Sequence, residues 1–106
     1  MKLFYFTDGD INIEVELSPE LETVWLTQKQ MGELFEVKQA TLSEHINNII
    51  SSGELDETSI GFSDKSSGGR KPKIYNLDMI LSVGYRVNSK RGIAFRRWAN
   101  SVLKNM

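Results

Sequence analysis

Three stretches of this 106-residue chain predict an α+β fold. Residues 11–17 alternate apolar and polar side chains, as a strand with one wet face does, and follow an apolar run at 3–6 across an Asp-Gly turn. Residues 27–52 carry apolar side chains at i, i+3 and i+4, the spacing of amphipathic helices, broken once near residue 36. Two short β-prone runs then bracket a Gly/Ser-rich loop before helical spacing resumes at residue 77.

The first element is a β-hairpin. Residues 3–7 and 11–17 are its strands, and Asp8-Gly9-Asp10 supplies Asp-Gly, a strong tight-turn pair. Ile11, Ile13, Val15 and Leu17 mark the buried face of the second strand. Ser18-Pro19-Glu20 turns the chain, and residues 22–25 form a short third strand that leads into a helix.

That helix has a legible start. Thr27 is its N-cap and Gln30, three residues on, completes a capping box. Leu26 and Met31 are spaced as a hydrophobic staple, and Met31, Leu34 and Phe35 fall on one face. Gly32 lies beside that face, where a missing side chain lets a second helix approach. Glu36-Val37 is the turn. Val37, Leu42, Ile46, Ile49 and Ile50 give the second helix its apolar side, and Gly53 is a left-handed stop after Ser52. The pair reads as a helix-turn-helix, the short pattern whose second helix docks in a DNA major groove. Two antiparallel helices that only build a core are the plainer alternative.

After a connector at 54–57, residues 58–62 and 73–75 read as two strands joined by the loop 63–72, a basic hairpin of the kind called a wing. Asn76 caps a third helix with Leu77, Ile80, Leu81 and Gly84 on one face; close packing would justify Gly84. Ser89 caps a last helix, about 90–104, whose apolar face is Ala94, Phe95, Trp98 and Val102. Trp98 and Phe95 are core residues on this pattern. The elements make one domain over residues 1–106, winged helix-turn-helix-like, with a hairpin in front and two helices behind.

Composition narrows the chemistry. There is no Cys and one His, so disulfides, thiolate metal sites and a Ser-His-Asp triad have no basis, and no cofactor is expected. No paired carboxylates or nucleophile–base set stands out, so the chain does not read as an enzyme and no small-molecule substrate is implied. No run of about 18 apolar residues and no signal pattern occurs, which makes cytoplasm the default location. The net charge of −1 conceals an asymmetry. Residues 1–22 carry Lys2 against six acids, a net −5, and residues 23–61 carry two lysines against six acids, a net −4. Residues 62–106 carry ten Lys or Arg against Asp64 and Asp78, a net +8, which favours an anionic partner for that part.

The candidate base-reading residues are those early on the second helix or on its free side: Lys38, Gln39, Thr41, Ser43, Glu44 and Asn47. Gln39 and Asn47 suit a bidentate contact to adenine, Lys38 suits guanine or phosphate, and Glu44 can accept from a cytosine amino group. Lys65, Arg70, Lys71 and Lys73 are placed to meet phosphates from the wing. Arg86, Lys90, Arg91, Arg96 and Arg97 form a second basic cluster that suits DNA or an acidic partner. Each of these could equally be solvated surface. His45, between Leu42 and Ile46, reads as a partly buried structural side chain.

Six ordered strings resemble the N-terminal region of the RhuM-type virulence protein family of bacteria. They are Trp25-Leu26-Thr27-Gln28-Lys29-Gln30, His45-Ile46-Asn47-Asn48-Ile49, Gly53-Glu54-Leu55, Tyr75-Asn76-Leu77-Asp78, Val83-Gly84-Tyr85-Arg86-Val87-Asn88-Ser89 and Phe95-Arg96-Arg97-Trp98-Ala99. The resemblance implies kinship with phage-type DNA-binding or antirepressor modules, a regulatory role, no catalytic residues in this region, and a longer protein of which this is the N-terminal part. The expected function is therefore sequence-specific binding of double-stranded DNA, compatible with a homodimer. The competing expectation is a protein-interaction or self-association module on the same scaffold.

Overall fold

The computed structural model describes residues 2–63 and 72–104. β1 (Lys2–Asp8) and β2 (Ile11–Ser18) form the N-terminal hairpin, in unbroken antiparallel register from Lys2 opposite Leu17 to Asp8 opposite Ile11. The two turn residues are Gly9 and Asp10, one step later than an Asp-Gly turn would place them. Gly9 has φ +60° while Asp10 is not left-handed, so glycine takes the first central position, as the two-residue II′ turn requires. One turn of 3-10 helix at Pro19–Leu21 leads to β3 (Thr23–Thr27).

α1 (Gln28–Phe35) starts where the sequence predicts. Thr27 Oγ1 accepts from the Gln30 backbone N–H at 3.1 Å, and Gln30 Oε1 accepts from the Thr27 N–H at 2.8 Å, closing the capping box. A three-residue link follows, then α2 (Gln39–Ser51). Glu36 stands in the left-handed region, φ 55°, and its N–H closes on the α1 helix end. A residue with a Cβ is strained there by about 1–2 kcal/mol relative to the right-handed conformation. Gly53, φ 79°, follows the C-cap Ser52 and donates to the Ile50 carbonyl, so α2 stops as expected.

A second 3-10 turn (Glu57–Ser59) precedes β4 (Ile60–Phe62), which pairs with β5 (Lys73–Asn76). α3 (Leu77–Arg86) follows at once, its first turn capped by the Asn76 side chain at 3.0 Å. α4 (Lys90–Lys104) ends the described chain. The five strands form one antiparallel sheet in the order β1-β2-β3-β5-β4, with α1 and α2 inserted between β3 and β4 in sequence.

The core lies between one sheet face and the helices. Ile13, Val15 and Leu17 of β2 and Val24 and Leu26 of β3 point into it, as strand alternation dictates. Met31 and Leu34 of α1, Leu42 and Ile49 of α2, Met79, Ile80 and Val83 of α3 and Phe95 of α4 meet them, all fully buried. Phe6 meets Phe95 and Trp98 edge-on, those two rings are tilted by 40° to each other, and the three centroids stand 5.2–5.6 Å apart, which seats α4 on β1. Gly84 is used as its spacing predicts: a Cβ there would stand 3.0 Å from Phe35 Cζ and 3.6 Å from the Gly92 Cα. On the opposite sheet face Trp25 donates its indole N–H to Ser18 at 2.9 Å, and the Ser63 hydroxyl donates to buried Glu16 at 2.6 Å. No helix among the described residues is long and apolar enough to cross a membrane.

Candidate nucleic-acid interface

α2 is held close to α1 by two devices. Gly32 is the first. A Cβ on it would stand 2.5 Å from Gln39 Nε2, 3.1 Å from the Val37 carbonyl oxygen and 3.4 Å from Leu42, so the first turn of α2 sits against bare backbone. Gln28 is the second, and the sequence reading missed it. Its amide donates to the Gln39 carbonyl at 3.1 Å and to the Ser43 hydroxyl at 2.8 Å, while Gln39 Nε2 donates weakly to the Gln28 carbonyl at 3.4 Å. Two glutamines at the first positions of two successive helices, eleven residues apart, was the signal available.

This seating turns Leu42, Ile46 and Ile49 inwards and leaves the expected residues outwards. Lys38, Gln39, Thr41, Ser43, Glu44 and Asn47 are all exposed and share the free side of α2. Ser43 and Gln39 are the two already tied to Gln28, which fixes where their polar atoms stand. His45 is half-buried beside the apolar seam. Lys38 is the N-cap of α2 in extended conformation, and its side chain does not cap. The first N–H groups of α2 therefore meet no side-chain cap, unlike those of α1 and α3.

The basic residues divide into two classes. Arg91 bridges the molecule, with Nε 3.3 Å from Asp8 at the hairpin end and Nη1 3.1 Å from Glu36 in the α1–α2 link. Arg86 pairs with Glu54, beyond the end of α2, at 3.1 Å. These two bind elements to one another. Lys90, Arg96 and Arg97 are exposed and make no ion pair among the described residues. Lys73 is exposed on β5, whereas Lys65, Arg70 and Lys71 lie outside the described residues. α3 and α4 also enclose an open groove of about 400 Å³ floored by Gly84 and Gly92, with Tyr85, Ile93 and Arg96 on its walls. Tyr85 is 88 % exposed and Ile93 59 %. Among the described residues no group of three His, Asp or Glu could hold a metal ion.

Neither the curated proteins nor the solved structures contain a significant match to the chain. A family model does match, that of the Virulence protein RhuM family, over residues 56–106. The matched segment holds the β4–β5 hairpin, α3 and α4, the elements that carry all six of the unpaired or bridging cations just described and pack against α1 and α2. Over that segment, the basic C-terminal part of the molecule, the chain is similar to the Virulence protein RhuM family.

Proposed function

We propose that the chain is a winged helix-turn-helix module that binds double-stranded DNA, with α2 as the recognition helix. The observation that carries this reading is the seating of α2. Gly32 and the Gln28–Gln39–Ser43 hydrogen bonds hold the helix in one place and leave a side facing away from the core that is polar except for Ala40. Rigid presentation of amides and hydroxyls at groove-reading positions is what direct readout needs. Strand order adds support: β3, β5 and β4 are neighbours, and the two helices leave and rejoin the sheet between β3 and β4. The β4–β5 hairpin that follows α2 is the wing in this reading.

The recognition side carries one cation, Lys38, against Glu44, so it supplies little attraction for phosphate. Affinity then rests on Lys90, Arg96, Arg97 and Lys73, with Lys65, Arg70 and Lys71 as the sequence-based wing contacts. Selection of bound sequences from a random duplex pool at two salt concentrations tests the reading. Binding should weaken steeply with salt, by a slope of about one unit per phosphate contact. Arg96→Ala with Arg97→Ala, and Arg70→Ala with Lys71→Ala, should weaken all sequences alike, while Lys38→Ala with Gln39→Ala should reduce selectivity. Absence of binding to any duplex at low salt would sink it.

A protein-interaction module on the same scaffold is the second reading. It is favoured by the exposed Tyr85 and Ile93 beside Arg96, because large apolar side chains gain nothing against a phosphate backbone. DNA binding that survives Tyr85→Ser and Ile93→Ser unchanged would separate that groove from the DNA site.

A further inference from the structure

We infer that β1 is a self-complementary edge and that the chain forms a two-fold dimer by antiparallel pairing of β1 with the β1 of a second copy. β1 ends the sheet, seven residues long, with no proline, no glycine and no bulge in its register with β2. Proteins ordinarily blunt such an edge with one of those devices or with central charges. Here the charges stand only at the ends, Lys2 and Asp8, and Leu3 and Tyr5 between them are 44 % and 58 % exposed.

The hydrogen-bond parity fixes a register. A two-residue hairpin loop closes on a hydrogen-bonded pair, here Asp8 with Ile11. Alternation then directs the backbone groups of Phe6, Phe4 and Lys2 towards β2, and those of Leu3, Tyr5 and Thr7 outwards. An antiparallel copy centred on Tyr5 brings Tyr5 opposite Tyr5 and Leu3 opposite Thr7, so every outward-facing residue finds an outward-facing residue. The same register sets Lys2 of each copy across from Asp8 of the other, and half-buried Phe4 across from Phe6. Opposite charges and aromatic pairs directly across a sheet are the stabilising combinations. Moving the register by two residues keeps the hydrogen bonds but separates Lys2 from Asp8. The other sheet edge, β4, has three residues and offers no comparable length.

The chain has no cysteine, so single-cysteine variants read the register without interference. Under mild oxidation Tyr5→Cys should cross-link to itself, because hydrogen-bonded partners have Cα atoms about 5.5 Å apart, within disulfide reach. Leu3→Cys should not cross-link to itself, since its copy lies four positions away, about 13 Å along the strand. Leu3→Cys mixed with Thr7→Cys should cross-link as a heterodimer. In sedimentation equilibrium the unmodified chain should dimerise, and Tyr5→Pro should raise the dimer dissociation constant at least about tenfold by removing the two central hydrogen bonds. Proline at an outward N–H leaves the β1–β2 ladder intact, which circular dichroism checks. A chain that stays monomeric at millimolar concentration, a Tyr5→Pro variant that dimerises as well as the unmodified chain, or self-linking of Leu3→Cys in place of Tyr5→Cys would each overturn the proposal.

Discussion

α2 and α4 are both helices with one apolar face, yet they are built in opposite ways. α2 sits on α1 through a missing side chain and a bridge of glutamines, and its free side is polar with little charge. α4 is anchored by the deepest aromatic contacts of the molecule, and its free side carries Lys90, Arg96 and Arg97. Both helices bury an apolar face; beyond that, α2 is placed by the Gln28 bridge and the bare backbone of Gly32, and α4 by the aromatic group with Phe6, the close approach of Gly92 to Gly84 and the Arg91 ion pairs. Under the proposed reading the first sets which sequence is bound and the second how tightly, so substitutions in the two should fail differently.

The largest expected effect breaks the α4 side. Phe95→Ala removes a fully buried ring that packs on Phe6 and Trp98, and should destabilise the chain by about 3–5 kcal/mol in urea denaturation. A loss below about 1 kcal/mol would mean that α4 is an appendage and not part of the core. Next comes the α1–α2 contact. Gly32→Ala meets Gln39 Nε2 and the Val37 carbonyl, and the clash outweighs the helix preference of alanine, so a loss of about 1–2 kcal/mol should appear together with a shift of the first turn of α2 in amide chemical shifts.

Lys38→Asp separates stability from binding. Aspartate at an extended N-cap accepts from the first turn and suits the helix dipole, so thermal unfolding should show a gain of about 1 kcal/mol. DNA affinity should fall in the same variant, because a cation at the groove-facing end becomes an anion; a variant that gains both would remove Lys38 from the interface. Glu36→Gly relieves the left-handed strain of the link but frees the unfolded chain and gives up the exposed Arg91 pair, leaving a net gain of about 0.5 kcal/mol by the same measurement.

The smallest effect is alkaline and common to both regions. Burial pushes the Tyr75 phenol above its ordinary 10.0. A raised folded-state value means that the stability it reflects is complete below pH 10 and is lost as pH rises through the folded value. Because Tyr75 lies in β5, between the two helix pairs, α2 and α4 should lose structure together above pH 10, and Tyr75→Phe should flatten that loss.

The sequence by itself determined the order and limits of the elements. Capping residues, the Gly53 stop and the apolar periods are local signals, and α1, α2, α3 and α4 begin and end within a residue or two of where those signals place them. The hairpin turn fell one residue later because Gly9, and not Asp8, must take the left-handed position. Which of the outward residues are free was decided only by tertiary structure. Arg86 and Arg91 read as members of one basic cluster with Arg96 and Arg97, but Glu54, Asp8 and Glu36 come to them from 32, 83 and 55 residues away. Gln28 looked like an ordinary first-turn residue until α2 folded back beside it. Caps and periods act within a few residues of the chain, whereas ion pairs and bridging amides depend on distances that exist only after the sheet has gathered the helices.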